Sequence, residues 1–433
     1  MKTKRNYRFT LRSFLLIAAI AFVGTNAAVV TAQKLESAKP ESVGVSSERL
    51  SRLSNTLDKY ATDGRLAGGV VKVSRKGKVI YTRAFGKRDV ESNSPMTEDS
   101  MFRIASQTKA IVSVGIMILQ EEGKLLITDP AGKYIPEFAN TTVAVPKEGG
   151  RYDVVKAKRQ ITIRDLLTHT SGYAYGGGIS KDKWEAAGIT GWYFAGRDEP
   201  IAATVARMAA LPAESHPGEK YVYGYSTDIL GVVIEKASGM PLDEFLRVKI
   251  FEPLGMKDTH FYLPESKTGR LATVYSSKSD NSGITRTPDT DGMVGQGAYV
   301  KGPRKSFSGG AGLLSTAEDY MRFLTMVHNG GKFGQTSLLS RKSVELMVAD
   351  HLVDKEISPG VGFGLGFSVL ADLGSRGTLG TEGEYGWGGA YHSTYWIDPE
   401  EDLVVVYFTQ LIPAGNIDDY GKLRALIYQA FID

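Results

Sequence analysis

Ser106 and Lys109 are the residues of this sequence whose types and spacing are best suited to covalent chemistry. They stand three positions apart at the start of an apolar run, 111–119, which Gly123 follows. Such a run ended by a glycine is typical of a buried helix with a left-handed residue after its C-terminus. Residues three apart lie on one helix face, so the Lys109 amine is placed to take the Ser106 hydroxyl proton. The pattern predicts a serine nucleophile with its own base.

Ser106 is also predicted at the helix N-terminus, where unpaired backbone N–H groups and the helix dipole favour negative charge. That position would supply half of an oxyanion site. The alternative interpretation makes Ser106 a helix cap and Lys109 a solvated side chain. The same spacing recurs at Ser180 and Lys183, which follow three glycines and precede no apolar helix. We interpret this copy as a chance match in a loop.

Two β-hairpins at opposite ends of the chain are predicted to form the sheet beside this helix. Residues 70–86 contain two short strands around Lys76-Gly77, and residues 395–408 contain two more around 398–402. Helical periodicity is found at 201–211, 228–238, 242–250, 317–329, 342–349 and 418–431. The predicted fold class is α+β: an antiparallel sheet from both termini, flanked by helices, with an inserted mainly helical lobe. We place the α/β lobe at about 40–130 plus 300–433 and the helical lobe at about 131–299.

Three further segments have compositions that do not fit regular core elements. Segments 146–160 and 264–305 are charged or rich in small polar residues, which predicts surface insertions or long loops. Segment 172–196 mixes glycines with six aromatic residues, Tyr173, Tyr175, Trp184, Trp192, Tyr193 and Phe194. These aromatic residues either cover a binding pocket or form an ordinary satellite of the core.

The first 32 residues are predicted to be a signal peptide. Five basic residues precede an apolar stretch, 14–23, that is too short to span a bilayer comfortably. We place the cleavage after Ala32, with Ala27 and Ala28 as alternative sites and an uncleaved anchor as the alternative to cleavage. The predicted location is therefore the periplasm or the cell exterior, without a stable membrane anchor after cleavage.

Charge and composition exclude several classes of function. The chain has 52 Lys+Arg and 48 Asp+Glu, and residues 1–32 hold five of the basic residues and no acidic one. The mature chain thus has 47 basic against 48 acidic residues, a net charge of −1, and we expect no nucleic-acid partner. The absence of cysteine excludes disulfides, a thiol nucleophile and a cysteine-ligated metal. The scattered histidines follow no metal-ligand spacing, so neither a metal nor a cofactor is predicted.

Four phrases, in this order, resemble the serine β-lactamase and penicillin-binding-protein superfamily, and within it the class C β-lactamase-like esterases called family VIII carboxylesterases. The phrases are Phe102-Arg103-Ile104-Ala105-Ser106-Gln107-Thr108-Lys109, Leu166-Leu167-Thr168-His169-Thr170-Ser171-Gly172, Pro253-Leu254-Gly255-Met256 and Gly386-Trp387-Gly388-Gly389. The resemblance covers residues 40–430. It implies a β-lactamase/transpeptidase-like fold and the roles of nucleophile for Ser106 and base partner for Lys109.

The second motif of this family contains a catalytic tyrosine, for which Tyr223 and Tyr225 are candidates. Esterases of the family place an aspartate five residues and a glycine eight residues after that tyrosine. Tyr223 satisfies both spacings with Asp228 and Gly231, whereas Tyr225 satisfies neither. The resemblance therefore implies that Tyr223 is the acid–base partner of Lys109. It gives Tyr225 the substrate-binding place of the asparagine found in β-lactamases.

The third motif is Trp387-Gly388-Gly389, where β-lactamases have Lys-Thr-Gly. The family pattern implies that the two glycines, Gly388 and Gly389, let the strand approach the substrate and that the Ala390 N–H is the second oxyanion donor. His392 is interpreted as a residue that lines the pocket. An indole carries no charge to bind a substrate carboxylate, so Trp387 favours uncharged esters over β-lactams.

The predicted function is an exported serine hydrolase that cleaves a small-molecule ester or amide, with carboxylic esters preferred, through a Ser106 acyl-enzyme. Lys109 and Tyr223 form the acid–base pair; which of them deprotonates Ser106 is left open, as are the acyl and leaving groups and the oligomeric state. A β-lactamase or a D-amino-acid peptidase or carboxypeptidase acting on cell-wall fragments is the alternative within the same chemistry. A non-catalytic module that binds a cell-wall or lipid ligand is the alternative from another class. His169 is interpreted as structural, and no Gly-x-Ser-x-Gly elbow of an α/β-hydrolase is present.

Overall fold

The computed structural model describes residues 1, 34–280 and 282–433. The chain divides into two units, Met1–Ala32 and Gln33–Asp433, and the second contains the helices and strands of the described residues. The predicted signal peptide lies outside the described residues apart from Met1, so its cleavage stays a prediction. Among the described residues, no helix combines the length and apolar character needed to cross a membrane.

The strands of the described residues are short outside the main sheet. Their bounds are β1 (Gly68–Arg75), β2 (Lys78–Asp89), β3 (Ser94–Pro95), β4 (Phe102–Arg103), β5 (Thr142–Pro146), β6 (Tyr152–Lys156), β7 (Tyr275–Ser277), β8 (Ile284–Arg286), β9 (Leu314–Ser315), β10 (Lys332–Phe333), β11 (Thr336–Ser337), β12 (Val361–Phe363), β13 (Ser368–Leu370), β14 (Tyr385–Gly389), β15 (Ser393–Asp398) and β16 (Leu403–Phe408).

The α-helices of the described residues alternate with these strands and with short 3-10 turns. Their bounds are α1 (Ser47–Thr62), α2 (Thr108–Glu121), α3 (Ile163–Leu167), α4 (Lys181–Ala186), α5 (Ile201–Ala209), α6 (Ser226–Ser238), α7 (Leu242–Leu246), α8 (Glu252–Leu254), α9 (Ala317–His328), α10 (Arg341–Val348), α11 (Leu373–Arg376) and α12 (Asp419–Tyr428).

One eight-stranded antiparallel sheet, in the order β12-β13-β14-β15-β16-β1-β2-β3, is the centre of the fold. The fifth and sixth strands of this order join the two ends of the chain, since β1 pairs with β16 from Val70 opposite Phe408 to Arg75 opposite Leu403. Both strands are rich in β-branched and aromatic residues and are buried along their whole length, because helices cover both faces. The predicted α+β fold with a sheet built from both termini is confirmed.

The two faces of the sheet pack against different helices. Val71 and Val405 point towards α1 and α12, whereas Val70 and Val406 join the larger core that contains α2 and α9. Successive side chains of a strand point to opposite faces of the sheet, so neighbouring residues pack against different helices. Between the sheet strands, residues 131–299 form α3 to α8 and the hairpins β5/β6 and β7/β8. The two-lobe boundaries stay a prediction.

Helix α2 lies in the middle of the larger core and carries the predicted nucleophile at its start. Its residues are buried from Thr108 to Leu119, as expected of a helix that is apolar on all sides. Gly115 lets it approach its neighbours closely. A β-carbon at this position would lie 3.0 Å from Ile234 Cδ1 and 3.2 Å from Phe245 Cε1.

Some local predictions differ from the structure. The segment 146–160, predicted as a surface insertion or loop, contains the largely exposed strand β6, which pairs with β5 from Thr142 opposite Lys156 to Pro146 opposite Tyr152. Lys183, predicted in a loop, lies on the six-residue helix α4. The helix predicted at 242–250 is α7 followed by the π-helical turn Arg247–Phe251.

We expect Gly115→Val to destabilise the protein by about 1–3 kcal/mol, because its methyl groups would overpack the contact with Ile234 and Phe245. Gly421→Val is the matched control, since Gly421 lies in α12 with no atom within 4 Å of the added β-carbon. This control should stay within about 0.5 kcal/mol of the wild type. Urea unfolding measures both values. Equal effects of the two substitutions would contradict the tight packing around α2.

Candidate active site

Ser106 and Lys109 meet at the start of α2. Ser106 lies in the 3-10 turn Ala105–Gln107, and Lys109 lies in the first turn of the α-helix that continues from it. The Lys109 Nζ atom is 3.3 Å from Ser106 Oγ. Ser106 is partly exposed, whereas Lys109 is only 2% exposed. The hydroxyl therefore faces the side open to a substrate, with the amine behind it.

The amine of Lys109 is held by two further acceptors. Its Nζ atom donates to the Gly310 carbonyl oxygen at 2.7 Å and to the Tyr175 hydroxyl at 3.0 Å. Together with Ser106 Oγ, these acceptors account for the three protons of an ammonium group. The alternative interpretation of Lys109 as a solvated side chain is wrong.

Tyr223 and Trp387 lie beside this pair and contact each other. The Trp387 indole N–H donates to the Tyr223 hydroxyl at 3.0 Å. The Lys109 Nζ atom is 4.8 Å from the centre of the Tyr223 ring. The structure therefore brings together residues of the three sequence motifs, which are separated by more than 270 positions between Lys109 and Trp387.

The glycines of the third motif let β14 approach the segment that precedes the serine. A β-carbon at Gly389 would lie 2.6 Å from the Ile104 carbonyl oxygen and 2.6 Å from Ser393 Oγ. Ala390 follows the strand and packs in a small cluster with Ala105, the neighbour of Ser106. Gly388 is less restricted, since the nearest atom to its added β-carbon is 3.2 Å away.

Further aromatic rings surround Tyr223 and Trp387. The His169 ring lies 4.7 Å from the Tyr223 ring, and Phe363 lies 5.2 Å from Trp387 and 5.4 Å from Tyr221. Burial, assisted by the positive charge of Lys109, holds the pKa of His169 well below its usual value. His169 is therefore neutral at pH 7 and presents an uncharged ring. It packs against Tyr223, in keeping with its interpretation as a structural residue.

Tyr225 is not placed to touch a substrate in this structure. Its side chain is fully buried, its hydroxyl donates to the Gly191 carbonyl at 2.8 Å, and its ring stacks on Trp184 at 5.5 Å. It also packs edge-on against Tyr175. Tyr225 thus supports the residues behind the site, and its predicted place in the substrate-binding wall needs correction.

The His392 side chain also makes its contacts outside the site. Its Nε2 atom lies 2.8 Å from an Asp419 carboxylate oxygen, and its ring stacks on Tyr420 at 4.2 Å. These contacts anchor the turn between β14 and β15 to the start of α12. The structure gives His392 a structural role there, and its prediction as a pocket-lining residue is not supported by any contact with Ser106, Lys109 or Tyr223 among the described residues.

Tyr175 is a site residue that was not identified from the sequence. Burial raises the pKa of Tyr175 well above its usual value, and the neighbouring Tyr223 and Asp228 add to the shift. It belongs to the aromatic segment 172–196, of which Tyr173 and Trp184 are buried in the core. The segment therefore contributes both to the core and to the site. The aromatic composition of this segment indicated a possible contribution to a binding pocket. Nothing in the local sequence distinguishes Tyr175 from the other five aromatic residues.

The second Ser-x-x-Lys copy does not form a comparable pair. Ser180 is buried with a hydroxyl that has no hydrogen-bond partner, and Lys183 is exposed on α4. Among the residues that the structure describes, no group of three or more His, Asp or Glu side chains is arranged to hold a metal ion.

Comparison with known proteins gives the same relationship as the motifs. The family model described as Beta-lactamase matches residues 53–427. Esterase EstB of Burkholderia gladioli is 32% identical over 381 residues, which are 84% of this chain and 91% of that protein. Protein Rv1367c of Mycobacterium tuberculosis (strain ATCC 25618 / H37Rv) is 34% identical over 82% of this chain and 88% of its own length.

A solved structure extends the likeness to three dimensions. EstCE1, described as a hydrolase with promiscuous acyltransferase activity, superposes with a TM-score of 0.75 at 26% identity. The match covers 88% of this chain and 99% of that chain. The β-lactamase/transpeptidase-like fold is confirmed, and so is the relationship to esterases of this superfamily. The chain belongs to the beta-lactamase family and is a serine hydrolase within it.

Proposed function

We propose that this protein is an exported serine hydrolase that cleaves carboxylic esters through an acyl-enzyme on Ser106. The observation that carries the proposal is the contact of Ser106 Oγ with the buried Lys109 amine, whose Nζ atom lies 4.8 Å from the centre of the Tyr223 ring. Its relationship to an esterase supports the choice of substrate class. Export rests on the composition of residues 1–32, with a basic start and a short apolar stretch.

The first half of the proposed reaction forms the acyl-enzyme. Ser106 Oγ attacks the ester carbonyl carbon, and its proton passes either to Lys109 as the neutral amine or to Tyr223 as the phenolate. The carbonyl oxygen becomes negative and accepts hydrogen bonds from the backbone N–H groups of Ser106 and Ala390. Donors fixed where charge develops need no reorganisation, and losing one costs about 10²–10³ in rate. The tetrahedral intermediate then collapses, the bond to the alkoxy oxygen breaks, and the Tyr223 hydroxyl protonates the leaving alcohol.

The second half returns the enzyme to its starting state. A water molecule attacks the acyl carbon while Tyr223 accepts its proton, and Ser106 Oγ leaves and is reprotonated. The Trp387 indole N–H supports this role, because a hydrogen bond to the Tyr223 oxygen stabilises the charge that develops there.

The aromatic surroundings favour an uncharged substrate. Where β-lactamases have a lysine, this chain has Trp387, and the side chains packed around it and Tyr223 include Phe363, Tyr221 and neutral His169. An anionic substrate would lose a charge-assisted hydrogen bond there, worth about 1.5–3 kcal/mol. Neutral esters lose nothing at this position.

We expect Ser106→Ala to abolish ester hydrolysis and covalent labelling by a fluorophosphonate, because the nucleophile paired with the buried Lys109 amine is removed. Ser180→Ala is the matched control and should label like the wild type, since its copy of the motif has no paired lysine. Intact-protein mass spectrometry measures the adduct. Labelling that persists in Ser106→Ala, or that is lost in Ser180→Ala, would refute the assignment of the nucleophile.

Tyr223→Phe should lower kcat by about 10² or more, as expected for the loss of a general acid–base. Tyr225→Phe removes only the hydrogen bond to Gly191 and should lower stability by about 1 kcal/mol with a modest effect on kcat. Steady-state kinetics on a neutral aryl ester and urea unfolding separate the two effects. A larger loss of activity in Tyr225→Phe would show that the tyrosine of the second motif was misassigned.

Substrate charge gives a test of specificity on a single preparation. We expect kcat/KM for a neutral short-chain aryl ester to exceed that for nitrocefin, which carries a carboxylate, by at least about one to two powers of ten. Trp387→Lys should bring the kcat/KM values for the ester and for nitrocefin closer together, and Trp387→Met should not. Both variants lose the indole hydrogen bond to Tyr223, so they differ in the charge at this position. Nitrocefin turnover equal to that of the ester in the wild type would favour a β-lactamase.

A further inference from the structure

Asp228 is a buried carboxyl group close to the site that the proposed reaction does not use. It lies in the first turn of α6 and is 1% exposed. In the sequence, its position five residues after Tyr223 only helped to identify that tyrosine. Burying an ionisable carboxyl is unfavourable unless it is paired and hydrogen-bonded. Its contacts therefore indicate what the group does.

The contacts of Asp228 all lie in the loop that precedes β9. Its Oδ1 atom accepts a hydrogen bond from Ser308 Oγ at 2.6 Å and another from the Gly310 N–H at 3.0 Å. Its Oδ2 atom has no hydrogen-bond partner. A β-carbon on Gly310 would overlap with this carboxylate, so glycine is what allows the loop to lie against α6.

A continuous chain of hydrogen bonds connects this carboxylate to Lys109. The Lys109 amine donates to the Gly310 carbonyl at 2.7 Å. The N–H of the same peptide unit, which belongs to Ala311, donates to Ser308 Oγ at 3.2 Å, and Ser308 donates to Asp228. Every donor in the chain points from the cation towards the carboxylate, and hydrogen bonds aligned in this way strengthen one another.

Other titratable groups share this environment. Lys109 faces Tyr175, Tyr223 and His169, and the negative charge of Asp228 contributes to the raised pKa values of Tyr175 and Tyr225. In turn, the charge of Lys109 opposes the burial that raises the pKa of Asp228. Among these neighbours Asp228 is the carboxylate, so it is the group suited to balance a buried ammonium.

We propose that Asp228 is a positioning residue for Lys109, which fixes the Gly310 carbonyl through Ser308 and the Gly310 N–H and supplies the counter-charge of the Lys109 ammonium. This inference rests on the proposed function, because it concerns the base pair that serves Ser106. It implies that the pH profile of the reaction depends partly on a residue that never touches the substrate.

Asp228→Asn tests the inference by removing the charge while keeping a carbonyl oxygen for both hydrogen bonds. The acid limb of the kcat/KM profile for a neutral ester should move to lower pH by about one unit, because an amine without its counter-charge loses its proton more easily. KM should stay unchanged. Asp319→Asn is the matched control. Asp319 lies on α9 and is 4% exposed, and its carboxylate accepts hydrogen bonds from the Asp258 N–H and the Thr259 hydroxyl, which lie outside the site. An unmoved limb in Asp228→Asn, or an equal shift in Asp319→Asn, would overturn the inference.

A double-mutant cycle tests the same pairing without any enzymatic readout. Thermal unfolding is measured for the wild type, Asp228→Asn, Lys109→Met and the double variant. When Lys109 is present, Asp228→Asn breaks a charge pair. When Met stands at position 109, the same substitution removes a buried charge that has no partner. The change in Tm caused by Asp228→Asn should therefore be more favourable in the Lys109→Met background than in the wild type, by about 2 °C or more. An effect of Asp228→Asn on Tm that is the same, or less favourable, with Met at position 109 than with Lys109 would overturn the pairing. Failure of the fluorophosphonate to label the wild-type protein would instead refute the proposed function alone.

Discussion

Placing a buried amine next to a reactive hydroxyl is the constraint on which the site depends. Lys109 needs three acceptors, and the chain supplies them from three segments: Ser106 on the same helix, Tyr175 at a separation of 66 residues and Gly310 at a separation of 201 residues. Each of these contacts fixes one direction of the amine. Because an unpaired buried cation is strongly destabilising, the same interactions that make the burial of the Lys109 amine tolerable also hold it in place.

The sheet provides the other half of the geometry. Gly389 brings β14 within contact distance of the Ile104 carbonyl, and the Gln107 side chain donates to Ser393 Oγ at 3.1 Å on the adjacent strand. The start of α2 is thus fixed against β14 and β15 from both sides of Ser106. Trp387 then positions the Tyr223 hydroxyl from the strand, while His169 supports its ring from the turn that follows α3. Strand and helix together hold the reacting groups, and rigid elements hold a site more precisely than loops do.

Much of the fold could be predicted because its signals are local. Continuous β-branched runs gave the hairpin β1/β2 at 70–86, which extends from Gly68 to Asp89, and helical periodicity placed α9 at 317–329 against Ala317–His328. Ser106 and Lys109 were found from their spacing, Tyr223 and Trp387 were found from the family resemblance, and the structure brings the four residues together. The positions of Tyr175, Gly310 and Asp228 near the site result from contacts between segments that are distant in sequence. Such contacts leave no periodic pattern in the sequence. Tyr225 and His392 were placed in the pocket because they adjoin motif residues, but adjacency in sequence does not fix where a side chain points; Tyr225 turns to Gly191 and His392 to Asp419.

The pairing of β1 with β16 has a consequence for how the protein becomes active. Residues 68–75 complete the centre of the sheet only when residues 403–408 are available, and β14, which approaches Ser106, pairs with β15 in the same late part of the chain. Contacts of such long sequence separation form slowly, because a large loop must close before any of them is made. During synthesis Ser106 therefore leaves the ribosome hundreds of residues before β14, the strand that approaches it. The close approach of Gly389 to Ile104, and with it the arrangement around Ser106, therefore forms only when residues 385–398 have joined the sheet.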